Sequence, residues 1–234
     1  MTDKNRLFEE YFDSVFKQSN VFSKAEYADH SRRYCLLYEK FLPQDKNAAI
    51  LDVGCGGGHF LYFLKSRNYL NISGIDISAQ QAEFCRRAVD VPVTQADAVE
   101  FLKDKPNKYD LIAAHDVLEH VPKEKVIIFL EVIYAALKPG GRLFVKTPNM
   151  GNPCAGPLRY ADFTHEIGLT EKSLHQILWI AGFRDIVILP MPDCGLLNKI
   201  TAGVLRFCLR KFMWYQGMVA PRVMTPVLAG VVKK

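Results

Sequence analysis

The feature that most constrains this chain is a regular alternation of short apolar runs with amphipathic helical segments between residues 48 and 149. The apolar runs are AAILDVG, ISGIDI, YDLIAAHD and GRLFVKTP. Helical spacing is clearest before the last run, at Val126, Phe129, Leu130, Ile133 and Leu137. Short, almost wholly apolar strands separated by helices are typical of a parallel sheet covered on both faces. We therefore predict an α/β fold.

The segments around this alternation have their own character. Residues 1–47 are aromatic and charged, and we predict that they form an N-terminal helical cap with an amphipathic helix over 30–42 that ends at Pro43. Residues 48–190 form the α/β body, which includes a turn-rich loop at 148–169. Loops of that length in compact domains are usually lids or binding loops. We therefore expect this loop to contact the molecule on which the protein acts, called the acceptor below.

The C-terminal part of the chain is predicted to add one helix and close the sheet. Thr170 is expected to cap a helix that is followed by the strand RDIVILPM. Residues 191–234 then contain a helical insertion at 196–215 and the closing strand VMTPVLAGVVKK. We assign this segment to the same domain as the α/β body.

Composition excludes several classes of protein. Hydrophobic residues make up 49% and charged residues 24% of the 234 residues, which are ordinary globular values. The chain has no uncharged stretch of about 18 residues that could span a membrane, and its first residues do not match a secretory signal. Six widely spaced cysteines without a CxxC pair indicate reduced thiols in a cytoplasmic protein. They are Cys35, Cys55, Cys85, Cys154, Cys194 and Cys208.

The charge of the chain is distributed unevenly. Seven Lys and Arg residues and no Asp or Glu follow Leu196, so with a net charge of +5 the preceding residues are slightly acidic. Such a body is not expected to bind nucleic acid. The basic and very apolar helix at 196–215 has the composition of a helix that lies on an anionic membrane surface, here the inner face of the membrane. The alternatives are packing against a second subunit in a homodimer and a lid over the acceptor site.

A glycine-rich turn joins the first strand to the following helix in ILDVGCGGGHF. Glycine lets the backbone take positive φ and approach a ligand closely, and the helix N-terminus offers free amides. The dinucleotide pattern GxGxxG does not fit, because His59 stands where its last glycine is required. We expect cofactor contacts from the residues of this turn, namely Asp52, Gly54, Cys55 and Gly56.

Two acids follow the next two strands. Asp76, with Ile77 after it, lies 22 positions beyond Gly54, where a carboxylate can accept hydrogen bonds from both ribose hydroxyls. Asp97, with Ala98 after it, follows the third strand and is placed to bind an adenine amino group. The structural alternative for both acids is helix capping.

Together these motifs resemble those of the class I S-adenosylmethionine-dependent methyltransferases. The resemblance covers residues 48–149, where YDLIAAHDVLEHV and LKPGGRLFVKTPN are similar to the family's fourth and fifth strand segments. It implies a Rossmann-like, seven-stranded, mostly parallel sheet with helices on both faces, and a methyl transfer that converts S-adenosyl-L-methionine into S-adenosyl-L-homocysteine. In the family the glycine turn holds the methionine part and the two acids hold ribose and adenine. His115 at the end of the fourth strand completes the expected cofactor contacts.

The acceptor is less clearly marked. The segment RYADFTHEIGLTEKSLHQILWIAGF resembles a subgroup of these methyltransferases from bacterial polysaccharide and glycolipid pathways. That resemblance implies O-methylation of a hydroxyl on a glycan, a glycolipid or a related small molecule. The alternatives are O-methylation of a quinone ring or another hydrophobic phenol, and a cofactor-binding partner protein without catalysis.

Methyl transfer to a hydroxyl needs a base beside the acceptor. We expect the acceptor pocket beyond the carboxyl ends of strands four and five, with His165 as first choice for the base, His120 as second, and Glu166 beside them. The structural alternative is that each histidine is simply a hydrogen-bonded residue. Other side chains predicted to point into this pocket are Asn149, Asn152, Tyr160 and Asp162.

Four residues near the same pocket are candidate ligands of a metal ion. Asp116, Glu119, His120 and His165 resemble the magnesium site of small-RNA terminal 2′-O-methyltransferases and the acid-Glu-His cluster of quinone-ring O-methyltransferases. Those families usually have Glu where this chain has Asp116. If the protein uses Mg²⁺, these four side chains are its expected ligands. The alternative is a helix-start acid with Glu119 and His120 facing solvent or the loop.

Overall fold

The computed structural model describes residues 7, 10–16, 22–192 and 196–234, and it describes the side chains of these residues except 12, 16 and 196–199. Cys194 lies outside the described residues. The described cysteines are free thiols, as expected.

The predicted seven-stranded sheet is confirmed. Its strands are β1 (Ile50–Val53), β2 (Ile72–Asp76), β3 (Val93–Gln95), β4 (Tyr109–His115), β5 (Leu137–Pro148), β6 (Arg184–Pro190) and β7 (Val227–Lys233). They lie in the order β3-β2-β1-β4-β5-β7-β6. Strands β1 to β5 are parallel, whereas β7 runs antiparallel to both of its neighbours, β5 and β6. The sequence order reverses between β1 and β4, which is where ligands bind in open sheets of this kind.

Helices cover both faces of the sheet. They are α1 (Lys24–Tyr38), α2 (His59–Ser66), α3 (Ala79–Val89), α4 (Ala98–Leu102), α5 (Val126–Ala136), α6 (Gly156–Tyr160), α7 (Glu171–Ile180) and α8 (Leu196–Tyr215). One buried cluster lies between the sheet and α4, α5 and α7, and a second lies between the sheet and α1, α2 and α3. Val126, Phe129, Leu130 and Ile133 form the predicted buried face of α5, whereas Leu137, predicted with them, is buried as the first residue of β5.

The first helix begins earlier than the sequence pattern predicted. We expected a helix over 30–42, but α1 starts at Lys24 because the Ser23 hydroxyl accepts a hydrogen bond from the backbone N–H of Glu26. The helix then tightens into a 3₁₀ turn at Glu39–Phe41. Ser followed three residues later by Glu is the sequence pattern of an N-terminal cap and would have located this start.

The later elements agree with their predictions. Thr170 caps α7, and its side chain and that of Ser173 each accept a hydrogen bond from the other residue's backbone N–H. The insertion between β6 and β7 is the 20-residue helix α8. Within the described part of the chain, no helix combines the length and the apolar character that crossing a membrane requires.

Candidate active site

The glycine turn brings the backbone to the edge of a large cavity. Gly54, Gly56 and Gly58 have φ values of 66°, 49° and 78°, in the left-handed region that favours glycine. A Cβ atom at Gly54 would lie 2.5 Å from Cγ2 of Val117. The turn therefore needs glycine for its backbone conformation and also for the space that a side chain would fill.

Asp76 holds this turn in place. Its Oδ2 accepts a hydrogen bond from the backbone N–H of Gly56 at 3.0 Å, and its Oδ1 accepts one from Ser78 at 2.9 Å. Burial raises the pKa of this carboxyl to about 6, although both hydrogen bonds act to lower it. The side chain also lines the cavity. Asp76 thus fixes the loop and faces the position where a ribose is expected.

Asp52 lies at the end of β1 and is buried. Burial and the nearby charge of Asp76 raise its pKa to about 8, against a smaller opposite effect of Lys146. Two carboxyl groups with raised pKa values therefore line one end of the cavity. A positively charged ligand at this end would favour their ionised forms.

Three further residues predicted to contact the cofactor, Ile77, Asp97 and Ala98, also line the cavity. Ile77 is 50% exposed there, and Ala98 lies beside it in the wall. Asp97 serves as the N-cap of α4, with Oδ1 accepting hydrogen bonds from the backbone N–H groups of Val99 and Glu100. The structural alternative for Asp97 is therefore realised, while the same carboxylate remains on the cavity wall.

His115 and Cys55 complete the predicted cofactor contacts. His115 Nε2 lies 3.2 Å from the Tyr38 hydroxyl, and none of the described residues is a hydrogen-bond partner of its buried Nδ1. Burial and Lys146 lower the pKa of His115, so its imidazole is neutral. Cys55 lines the cavity, and its thiol packs towards Gly74 in β2.

The cavity measures about 1550 Å³ and fits a nucleoside-sized ligand together with an acceptor. It runs from the glycine turn past Asp76 and His115 to the loop at 148–169. The buried carboxylates of Asp52 and Asp76 can accept hydrogen bonds and offset the positive charge of S-adenosylmethionine, and the positive-φ glycine turn brings backbone to the same end of the cavity. The residues present therefore fit this cofactor.

Three of the four conditional metal ligands come together at the acceptor end. Ligand atoms of Glu119, His120 and His165 lie within 4.8 Å of one another. Asp116 is not part of this group, because its Oδ2 lies 2.6 Å from Nζ of Lys146. Burial and the charge of Asp116 raise the pKa of Glu119 to about 8. Glu119 is 2% exposed, so it does not face solvent, and it lies beside His165 of the loop, which the structural alternative also allowed.

A chain of hydrogen bonds orients His120. The Thr164 hydroxyl donates to Oδ1 of Asp162 at 2.6 Å and lies 2.8 Å from Nδ1 of His120. Since this hydroxyl has one proton, it accepts a hydrogen bond from Nδ1–H, and Nε2 of His120 is the basic nitrogen. Burial, and then His165, lower the pKa of His120, which keeps the ring neutral.

His165 lies beside His120, with ring centroids 4.9 Å apart. Its Nδ1 is 3.3 Å from the carbonyl oxygen of Arg159, while the Arg159 side chain donates to the backbone oxygens of His165 and Glu166. The backbone N–H of Glu166 donates to the Glu119 carbonyl at 2.7 Å. The Glu166 side chain is exposed at the cavity mouth. These bonds hold the loop against the end of β4.

Four side chains predicted to reach the acceptor pocket do not line the cavity, namely Asn149, Asn152, Tyr160 and Asp162. Asn149 is fully buried and donates to the carbonyl oxygens of Val223 and Thr225, and Asn152 donates to that of Met224. The two amides fasten the loop to the segment before β7, so their role is structural. Tyr160 is 80% exposed at the end of α6.

Sequence reasoning missed the cavity residues that come from α1, α2 and β5. Tyr34 and His30 on α1, His59 at the start of α2, and Lys146 on β5 all line the cavity. The histidines had no recognisable spacing to the glycine turn. Lys146 lies within the run GRLFVKTP, where a cation inside an apolar strand was the available signal.

Comparison with known proteins places the chain in a family. Residues 25–187 match a family model described as a methyltransferase domain, and the chain belongs to this family. The predicted fold class, the cofactor S-adenosylmethionine and the enzyme class are thereby confirmed at the level of the family.

Among curated relatives, the chain is similar to ubiquinone biosynthesis O-methyltransferases. It is 33% identical to the protein of Idiomarina loihiensis over 166 residues, covering 68% of this chain and 65% of the relative. It is 38% identical to that of Chelativorans sp. over 160 residues, covering 67% and 61%. The match thus spans less than two thirds of these relatives' length.

Solved structures share the fold over nearly the whole chain. A methyltransferase from Archaeoglobus fulgidus, described as dependent on S-adenosylmethionine, aligns with a TM-score of 0.68 at 24% identity, covering 98% of this chain and 99% of that one. Phosphoethanolamine N-methyltransferase 2 from Haemonchus contortus, solved with S-adenosyl-L-methionine, aligns with a TM-score of 0.65 at 16% identity. That alignment covers 97% of this chain and 60% of the other.

Proposed function

We propose that the protein transfers a methyl group to a phenolic hydroxyl on a hydrophobic ring, such as a quinone precursor. The observation that carries this proposal is the group of Glu119, His120 and His165, which faces a cavity whose neighbouring wall is apolar. That wall includes Val121, Pro122, Ile128, Phe129, Pro157 and Leu158. The names of the curated relatives support the same acceptor class.

Different residues of the cavity would hold different parts of the cofactor. The glycine turn and Asp76 would hold the methionine and ribose parts of S-adenosylmethionine, with Ile77, Asp97 and Ala98 around adenine. When bound, this cofactor supplies a methyl group on a positively charged sulfur. Much of the rate in such a displacement comes from positioning, so a preformed cavity contributes directly.

His120 is our proposed base. Its basic Nε2 takes the proton that the acceptor hydroxyl loses as the oxygen receives the methyl group. Asp162 and Thr164 fix the ring by the hydrogen bonds described above and would stabilise the imidazolium. The sequence favoured His165 as the base. We propose that His165 lies beside the methyl acceptor and can also take up a proton.

The cluster also has the donors for a cation. One carboxylate and two imidazoles suit a transition ion better than Mg²⁺, which prefers oxygen ligands. A cation there would be held by Glu119, His120 and His165. Asp116 would not be a ligand, because its carboxylate is paired with Lys146. With such an ion bound, His120 would be a ligand rather than the base, and the ion would acidify the acceptor hydroxyl so that it loses its proton to solvent.

A hydroxyl on a glycan or glycolipid is the second candidate acceptor. It is favoured by two exposed aromatic rings near the cavity mouth, Tyr160 at 80% and Phe163 at 87% exposure. Flat aromatic faces with a polar edge are suited to stacking on sugars.

The deciding experiment measures S-adenosylhomocysteine production with purified protein and two acceptor panels, phenols with apolar chains and sugar glycolipids. We expect turnover with phenols, a loss of about 100-fold or more in His120→Ala, and a smaller loss in His165→Ala. The exposed His175→Ala variant is the control. Cofactor binding without turnover on either panel would favour a non-catalytic partner protein, and turnover of glycolipids alone would favour the second candidate.

We also propose that α8 rests on an anionic membrane surface. Its exposed apolar side chains include Val204, Phe207, Phe212, Trp214 and Tyr215, each at least 60% exposed. Arg206, Arg210 and Arg222 line a cavity of about 480 Å³ between α8 and the end of β6, where guanidinium groups could meet phosphate. An exposed apolar helix with cations and no acids is typical of interfacial binding.

Vesicle co-sedimentation tests this proposal. Binding to phosphatidylcholine vesicles that contain phosphatidylglycerol, and much weaker binding to pure phosphatidylcholine, is expected. Replacing Phe212 and Trp214 together with Ser should abolish the binding. If neither vesicle binds, the membrane proposal fails. A dimer mass that reverts to a monomer in the same variant would assign α8 to a homodimer.

A further inference from the structure

A second group of metal-ligating side chains lies where α1 meets the beginning of α2. Glu26 and His30 are one helical turn apart on α1, and His59 is the first residue of α2. Ligand atoms of the three residues lie within 4.8 Å of one another. Oε1 of Glu26 is 4.0 Å from Nε2 of His30 and 3.9 Å from Nε2 of His59. His30 and His59 line the cavity described above, but no step of the proposed methyl transfer uses any of the three residues.

The group is enclosed, and one of its nitrogens is unsatisfied. The side chain of His59 is 11% exposed, that of Glu26 18% and that of His30 31%. Nε2 of His59 is buried, and no described residue is its hydrogen-bond partner, a state that is energetically costly for a polar atom. The rings of His30 and Tyr27 pack against His59 with centroids 4.2 and 4.7 Å away. A bound ion would remove this cost.

We propose that Glu26, His30 and His59 form a binding site for a divalent transition-metal ion of the zinc type. One carboxylate and two imidazoles, with a fourth position open to water, form a known zinc donor set. Zinc bonds of about 2.0–2.2 Å bring donor atoms to roughly 3.4 Å from one another, so the observed separations need only small side-chain rotations. The ion would tie α1 to the helix that follows the glycine turn.

The test must separate this site from Glu119, His120 and His165, which offers the same donor types. The starting protein is therefore the His165→Ala variant, in which the second cluster is disabled. Zinc is titrated in competition with a chromophoric chelator, and the melting temperature is recorded with and without zinc. We expect about one equivalent bound with a Kd on the order of micromolar or tighter, and a rise in melting temperature.

Adding His59→Gln, or separately His30→Gln, to this background should weaken zinc binding by about 100-fold or more and remove the thermal shift. Adding His175→Ala, which replaces an exposed histidine on α7, should change neither the zinc affinity nor the thermal shift.

Unfolding of each variant without zinc shows whether it is folded. Zinc binding that is absent in His165→Ala, or unchanged by both glutamine substitutions, overturns the site. If His59→Gln weakens only S-adenosylhomocysteine binding, the three residues belong to the cofactor pocket instead. A failure of methyl transfer affects none of these readouts.

Discussion

At the scale of single residues, two buried carboxyl groups dominate the cofactor end of the cavity. Asp76 is held by backbone N–H groups of the glycine turn and of Ser78, so its orientation is fixed before any ligand arrives. Asp52 lies nearby and is disfavoured as an anion by burial and by Asp76. The carboxylate of Asp76 is therefore preorganised for hydrogen bonds to a ligand. The protonation of Asp52 depends on the charge of the ligand that binds beside it.

Asp76→Ala should weaken S-adenosylhomocysteine binding by about 100-fold or more, because two charge-assisted hydrogen bonds that shape the turn are lost together with the ribose contact. Isothermal titration calorimetry measures this. Asp104→Ala, which removes an exposed acid outside the cavity, is the matched control. Unchanged binding in Asp76→Ala would show that the ribose is held elsewhere.

Asp52 should make the ligand-free protein less stable as the pH rises. Its pKa is about 4 in an unfolded chain and about 8 when folded, so its favourable contribution is complete below pH 4 and is lost as the pH approaches 8. Asp52→Asn does not titrate, and its stability relative to the natural protein should rise by a few kcal/mol between pH 5 and pH 8.5. Urea unfolding of both proteins at the two pH values measures the difference. Parallel pH profiles would contradict the assignment.

At the scale of elements, glycine is required at the start of α2 but not inside α8. Gly58 is the N-cap of α2 with φ 78°, and a Cβ atom there would lie 2.6 Å from Cγ2 of Val89. Gly203 lies inside α8, where an added Cβ atom meets nothing within 4 Å. The same substitution should therefore have opposite effects in the two helices.

Gly58→Ala should lower the free energy of unfolding by about 2–4 kcal/mol, from backbone strain and the clash with Val89. Gly203→Ala should leave it unchanged or raise it by up to about 1 kcal/mol, since alanine favours a helix interior. Chemical denaturation of the two variants beside the natural protein compares them. Equal destabilisation by both would mean that the turn is not strained.

At the scale of the whole molecule, the sheet depends on the last strand of the chain. β7 lies between β5 and β6, so it bonds the strand that carries Lys146 to the strand that leads into α8. Leu228, Val231 and Val232 of β7 are buried between the two helix layers. The C-terminal residues are thus part of the core.

Deleting residues 222–234 should abolish cooperative folding, because β5 loses one of its two neighbouring strands, β6 loses β7, and an apolar edge is exposed. Lys233→Ala, which shortens an exposed side chain of β7, is the control and should leave the unfolding midpoint within a few degrees of its original value. Circular dichroism during thermal unfolding, with gel filtration, measures both. A cooperative transition at an unchanged midpoint in the deletion variant would show that β7 is dispensable.

The sequence by itself determined the α/β layering, the glycine turn and the acids after β2 and β3, because each depends on local periodicity or on short spacing. It also located His120 and His165 near each other, since both follow elements that end at the same edge of the sheet. The start of α1 was missed although Ser23 and Glu26 marked it.

Only the tertiary structure decided which side chains meet. Asp116 pairs with Lys146, Asn149 and Asn152 bind the backbone before β7, and His59 comes to lie beside Glu26 and His30. These contacts join residues about 30 or more positions apart, and local patterns carry no information on such pairings. They form because packing α1 on α2 and β7 on β5 buries apolar surface, and the polar groups then find the partners that this packing brings within reach.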